Sequence, residues 1–431
     1  MKFIITILTV FCFVALIFSS CGSKSSNKNL QTEKPVIDIV KNSPGYGKSY
    51  SGNKQNSNKV QQTIISKVTF FIENSGSMKG YVTGSTKYVD VLTDLTNHPD
   101  FIKQNVIRNF YFNSGASIPH KITNLQNNLV PANFNQAKSN LNQLFKTALD
   151  SNGKSTVTVL ISDGIYDMCP EPTPLNKLTI LSHALRSVFI NKLQNTNFQT
   201  IVVKLKSDFS GRYFPGNCCN ASNINQERPY YLWVFGETEI LKKYFSDEYL
   251  KNLNGYVNSA RYFKFNLEKD IYKPNSYKKI GTYNPSTNDK YSLENVKTNS
   301  AGVFQFSIAV NFSKLPLNDN YLTDKSNYIC TNGFVIVSID APTNVTKLGL
   351  PNQTHLIVVK KTGNPIGQLT VSLLNKGYDW ISDTNLNNDC NINGNTTQTF
   401  GFEVLNQGII EAYQNFNDGK VIAKFNINLR N

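Results

Sequence analysis

The sequence predicts an α/β fold, a doubly wound, mostly parallel six-stranded sheet, followed by an all-β, sandwich-like domain. Three observations predict it. From about residue 64 to 266, short apolar runs alternate with stretches of helical period, the texture of a mostly parallel sheet. Several runs are continuous, as in Val157-Thr158-Val159-Leu160-Ile161, which suits strands covered on both faces. After Lys269 the helical period gives way to short β-rich runs separated by Asn, Gly, Pro and Asp, as expected of antiparallel strands.

Residues 1–20 hold one lysine, an apolar run from Phe3 to Phe18 and then small residues. That run is short for a membrane span and reads as an export signal. Phe18-Ser19-Ser20-Cys21-Gly22 resembles the bacterial lipobox, which implies lipidation of Cys21 and an anchor in a membrane of the bacterial cell envelope. Residues 21–62 are Ser, Asn, Lys and Gly with few apolar side chains, too little to bury, and read as a flexible tether. The α/β domain is expected over 63–268 and the β-rich domain over 269–431.

Within the first domain, strands are expected at 68–72, 106–112, 156–161, 200–205 and 230–235, with 118–122 as an antiparallel edge. Helices are expected at 88–96, 135–149, 178–193 and 237–249. In the second, strands are expected at 303–312, 334–339, 355–360, 367–374, 399–405 and 421–429, with one helical turn at 408–413.

At the end of the first strand stands Glu73-Asn74-Ser75-Gly76-Ser77, and after the third Ser162-Asp163-Gly164. These motifs resemble the von Willebrand factor A family and its metal-ion-dependent adhesion site. The resemblance implies five parallel strands with one antiparallel edge and a cation held by three loops. Its Asp-x-Ser-x-Ser loop matches at Ser75 and Ser77, with Glu73 in place of the Asp. Its second loop matches best at Ser139-Asn140-Leu141, and its third at Asp163. Such oxygen ligands suit Mg²⁺, or Mn²⁺ or Ca²⁺, and in the family an open position on the ion takes a carboxylate from a protein partner. Asp167 and Glu171 are further carboxylates on the third loop.

Of seven cysteines, Cys12 lies in the signal and Cys21 at the lipid site. Cys169 and the pair Cys218-Cys219 belong to loops that leave the sheet at the same edge, so a disulfide is expected from Cys169 to Cys218 or Cys219. Cys330 and Cys390 are left as a possible staple of the second domain. Residues 207–228 read as a long loop over the metal face, with Arg212, Tyr213 and Phe214 as partner contacts.

The 44 Lys and Arg against 29 Asp and Glu leave a net charge of +15. The basic residues are scattered without runs, so no nucleic-acid partner is expected. Four histidines, at 98, 120, 183 and 355, form no metal or triad motif, and the chain is expected not to be an enzyme. The functional expectation is a membrane-anchored, divalent-metal-dependent protein-binding module. A metal-free structural envelope lipoprotein with a degenerate site is the alternative, and a metal-dependent hydrolase ranks below both.

Overall fold

The computed structural model describes residues 64–264, 271–341, 343, 352–376 and 379–431; the signal, Cys21 and the tether lie outside the described residues. A seven-stranded sheet forms the first layer system, from β1 (Lys67–Ile72), β2 (Ile107–Phe112), β3 (His120–Ile122), β4 (Thr156–Ser162), β5 (Phe198–Tyr213), β6 (Ser222–Glu237) and β7 (Tyr256–Phe263). Their spatial order is β3-β2-β1-β4-β6-β5-β7.

Two apolar layers sandwich this sheet because its central strands bury both faces. Phe70 and Ile72 of β1 and Val157, Val159 and Ile161 of β4 point to one layer. Phe71 and Leu160 point to the other, following the alternation of side chains along a strand. The first layer is closed by the helix Lys87–Thr96, whose Tyr88, Val91, Leu92 and Leu95 are buried. Thr86 begins this helix as an N-cap, its side chain accepting from the Val89 amide. Helices Leu141–Ser151 and Pro174–Gln194 close the second layer.

The sheet corrects the expected fold. It has seven strands, and only β1–β2 and β1–β4 pair parallel, whereas β2–β3, β4–β6, β5–β6 and β5–β7 pair antiparallel. The expected crossover from β4 through Pro174–Gln194 does occur, but it lands one position too far out. The gap between β4 and β5 is filled by β6, which returns from β5 as a hairpin. A continuous apolar run marks a strand buried on both faces but carries no sign of its direction, so the reversal left no trace in composition. The extra strand, β7, is a half-buried edge carrying Asn258, Ser259 and Arg261, too polar to stand out as an apolar run.

Residues 207–228 are also corrected, from a loop to paired hairpin arms. Pairing of β5 with β6 continues from Ser207↔Arg228 to Tyr213↔Ser222. Ser207, Phe209 and Tyr213 are buried along this arm while Asp208, Ser210 and Arg212 are exposed, the period of a strand with one covered face. The connecting loop is only 214–221.

Beyond residue 270, two open sheets share one core. One contains β8 (Tyr272–Ile280), β11 (Val303–Val310), β13 (Val335–Asp340) and β14 (His355–Thr362). The other contains β9 (Thr282–Pro285), β10 (Ser292–Lys297), β12 (Tyr328–Cys330), β15 (Gly367–Leu374) and β16 (Val421–Leu429). Phe304, Phe306 and Ile308 of β11 meet Val371, Phe425 and Ile427 across the layer.

The strand expected at 399–405 is a third correction. Only Thr399 and Phe400 are extended, and the helix Phe402–Gln414 follows. Phe402, Leu405, Ile409 and Ala412 form a helical stripe buried with Leu178, Leu185 and Phe189 of Pro174–Gln194. The Ser182 hydroxyl donates to the Val404 carbonyl at 2.6 Å.

The disulfides are Cys169–Cys219 and Cys218–Cys390, with Cys330 free. The expected Cys330–Cys390 staple is therefore wrong. Cys330 packs against the core of the two C-terminal sheets, whereas Cys390 lies beside the β5–β6 loop. Asp389, fully buried, holds it there by accepting from the Tyr213 hydroxyl, from the Gly216 amide at 2.7 Å and from the Asn217 amide at 3.2 Å. Two disulfides indicate an oxidising, extracytoplasmic environment. No helix among the described residues is long and apolar enough to cross a membrane.

Candidate functional site

The parallel register of β1 against β4 aligns Ile72 with Ile161, so both strands end together and deliver Glu73 and Asp163 to one place. The loop before Leu141–Ser151 closes on them. Gly76 donates its amide to Gln136 at 2.9 Å, and Gln136 donates to Asn74 at 3.2 Å. Asn140 ends this loop as the helix N-cap, accepting from the Gln143 amide at 3.2 Å. Ser139 is thereby placed beside Glu73, where its hydroxyl favours the charged carboxylate but forms no well-shaped hydrogen bond.

Glu73, Ser75 and Asp163 are buried. Glu73 Oε1 lies 2.6 Å from Ser75 Oγ, which lies 2.9 Å from Ser77 Oγ. Ser77 stands beside Asp163, where its hydroxyl favours the charged carboxylate. The other Glu73 oxygen accepts from Ser162, whose hydroxyl takes the Gly164 amide at 2.9 Å. Burial, and then the charge of Asp163, pushes Glu73 up to about 8, against the opposing pull of the Ser162, Ser75 and Ser139 hydroxyls. Burial also raises Asp163, opposed by Ser77, the Ile165 amide and the guanidinium of Arg228. Arg228 is itself buried, 4.3 Å over the Tyr213 ring.

Counting hydrogens decides what this chain of contacts holds, because each serine hydroxyl has one proton to donate. With both carboxylates ionised, Ser75 donates to Glu73 and Ser77 to Asp163, and the Ser75–Ser77 contact has no proton. With Glu73 protonated, Glu73 donates to Ser75, Ser75 to Ser77, and Ser77 to Asp163. Every contact is then filled. Burial thus favours a proton on Glu73 within the serine contacts. Among the described residues no group of three or more His, Cys, Asp or Glu side chains is arranged to hold a metal ion. The structure thus brings Glu73, Ser75, Ser77, Ser139 and Asp163 together in one hydrogen-bonded cluster, and the expected metal-ion-dependent adhesion site is not found among the described residues.

Above the cluster opens a cavity of about 480 Å³ with Ser75, Ser77 and Ser139 in its lining. Cys169, Cys218 and Cys219 also line it, so both disulfides brace its wall. Of the three expected partner contacts, Phe214 lines this cavity and is 40% exposed. Arg212 is exposed and stacks 5.3 Å from the Phe214 ring. Tyr213 is buried beneath Arg228 and unavailable to a partner. Asp167 reaches the cavity while accepting from the Cys169 amide at 3.2 Å.

Sequence reasoning missed Ser162, Arg228 and Asp389. Ser162 stands next to Asp163 in the motif itself and was legible there. Arg228 and Asp389 join the site only through hairpin pairing and the Cys218–Cys390 link, which have no local signal. Compared with protein families, curated proteins and solved structures, the chain finds no match, and this, with the largely antiparallel sheet, overturns the von Willebrand factor A resemblance.

Proposed function

We propose that the chain is a metal-free structural and binding lipoprotein of the bacterial cell envelope, carried on a lipid at Cys21. The run of contacts Glu73–Ser75–Ser77, with Asp163 beside Ser77, carries this reading, since a proton there does the bridging that a cation would otherwise do. The disulfides support the compartment, and the lipobox supports the anchor. A partner recognised by completing an ion's shell drops out of this reading. No reaction is assigned to the cluster.

Metal titration tests it. The full chain in detergent, unfolded thermally in Mg²⁺, Mn²⁺, Ca²⁺ or EDTA, is expected to show one midpoint throughout and no calorimetric heat of binding. A ligand held only by the native state raises stability, so a midpoint that climbs with any of these cations overturns the proposal.

A further inference from the structure

The cavity above the cluster has a chemistry of its own. Its only charged side chains, Lys138 and Asp167, are both exposed, while Glu73 and Asp163 are absent from its lining. An anionic ligand such as a phosphate finds no arginine in the lining, and a peptide finds the loop backbone already taken, since Gly76 and Gln136 donate to Gln136 and Asn74. What the cavity offers is uncharged groups that both donate and accept: the Ser139 hydroxyl and the Asn135 and Gln136 amides, which bond each other at 3.3 Å and keep further donor and acceptor capacity. The Ser139 Oγ is buried without a well-formed partner. Opposite, Phe214 lies over Gly76 as an exposed apolar face. Arg212 stacked behind it fixes the ring, and the two disulfides hold the walls, so the pocket is preformed.

We infer that this cavity binds a neutral oligosaccharide, whose ring seats its C–H face on Phe214 and whose hydroxyls meet Ser139, Asn135 and Gln136. A sugar ring pairs one apolar face with a rim of hydroxyls, and this lining has the same two halves. The inference rests on the metal-free reading of the serine floor, so binding is measured with and without metal.

The test is calorimetric titration of the full chain in detergent with maltotriose, cellotriose, mannotriose and the N-acetylglucosamine trimer, each in EDTA and in Mg²⁺. At least one is expected to bind equally in both buffers. Phe214→Ala is expected to weaken it by about tenfold or more, as loss of an aromatic anchor does, and Ser139→Ala several-fold, with thermal midpoints unchanged because Phe214 is exposed. Failure of all four to bind at millimolar concentration overturns the inference, as does binding that ignores Phe214→Ala. Binding that requires Mg²⁺ upholds the saccharide site and overturns the metal-free reading instead.

Discussion

Glu73 is folded into a place where its carboxyl group is favoured over its carboxylate. Its ordinary value of 4.5 rises to about 8 in the native chain, so between those values the folded state holds a proton that the unfolded state has lost. Stability from this residue is therefore full below about 4.5 and falls as pH rises toward 8, by at most about 1.4 kcal/mol per pH unit. Asp163 is raised as well and acts in the same sense at the acid end. Denaturant unfolding across pH 5 to pH 8, as an order-of-magnitude window set by linkage, is expected to show this loss. Glu73→Gln keeps a donor for Ser75 and an acceptor for Ser162 but cannot ionise, so it should flatten the profile. An unchanged slope in the variant would mean that Glu73 is already ionised.

Among the elements, the helix Phe402–Gln414 is the one whose character most depends on its neighbour. Gly408 sits so close to the Ser182 carbonyl that an added Cβ would collide with backbone. Gly408→Ala, which would favour an isolated helix, is therefore expected to destabilise the protein, by about 1–3 kcal/mol as for overpacking elsewhere. Thermal or denaturant unfolding checks the sign. The same helix shows why local reading failed at 399–405: Thr399-Phe400 opens the run with β-prone residues, and only packing on Leu178 and Leu185 reveals Phe402 and Leu405 as one stripe. The hairpin arms failed differently, for Ser207, Phe209 and Tyr213 do alternate with exposed residues, a signal masked by surrounding Gly, Asn and Ser.

At the scale of the molecule, the described residues form one compact unit, tied across its length by Cys218–Cys390. These cysteines are 172 residues apart, against 50 for Cys169–Cys219. Closing the longer loop removes more freedom from the unfolded chain, roughly 5 against roughly 4 kcal/mol in the chain-entropy treatment. The pair of changes Cys218→Ser and Cys390→Ser should accordingly lower the unfolding midpoint further than Cys169→Ser with Cys219→Ser. Equal losses would show that the gain lies in bracing the cavity wall and not in loop closure.

By itself the sequence determined where the chain is apolar and with what period. That sufficed for β1, β2, β4 and most helices, because these follow from apolar period read along the chain; the convergence of Glu73, Ser75, Ser77, Ser139 and Asp163 was expected only through the family resemblance, and the parallel register of β1 and β4 produces it. It also narrowed Cys169 to two partners, one of them right. Tertiary structure alone decided the direction of β6 and its place between β4 and β5, since backbone pairing is blind to side-chain composition. It decided the union of Cys390 and Asp389 with a hairpin tip far away in sequence. It decided the upward shift of Glu73 too, because desolvation depends on how completely neighbours from β4 and the loop before Leu141–Ser151 exclude water, and no residue's identity records that.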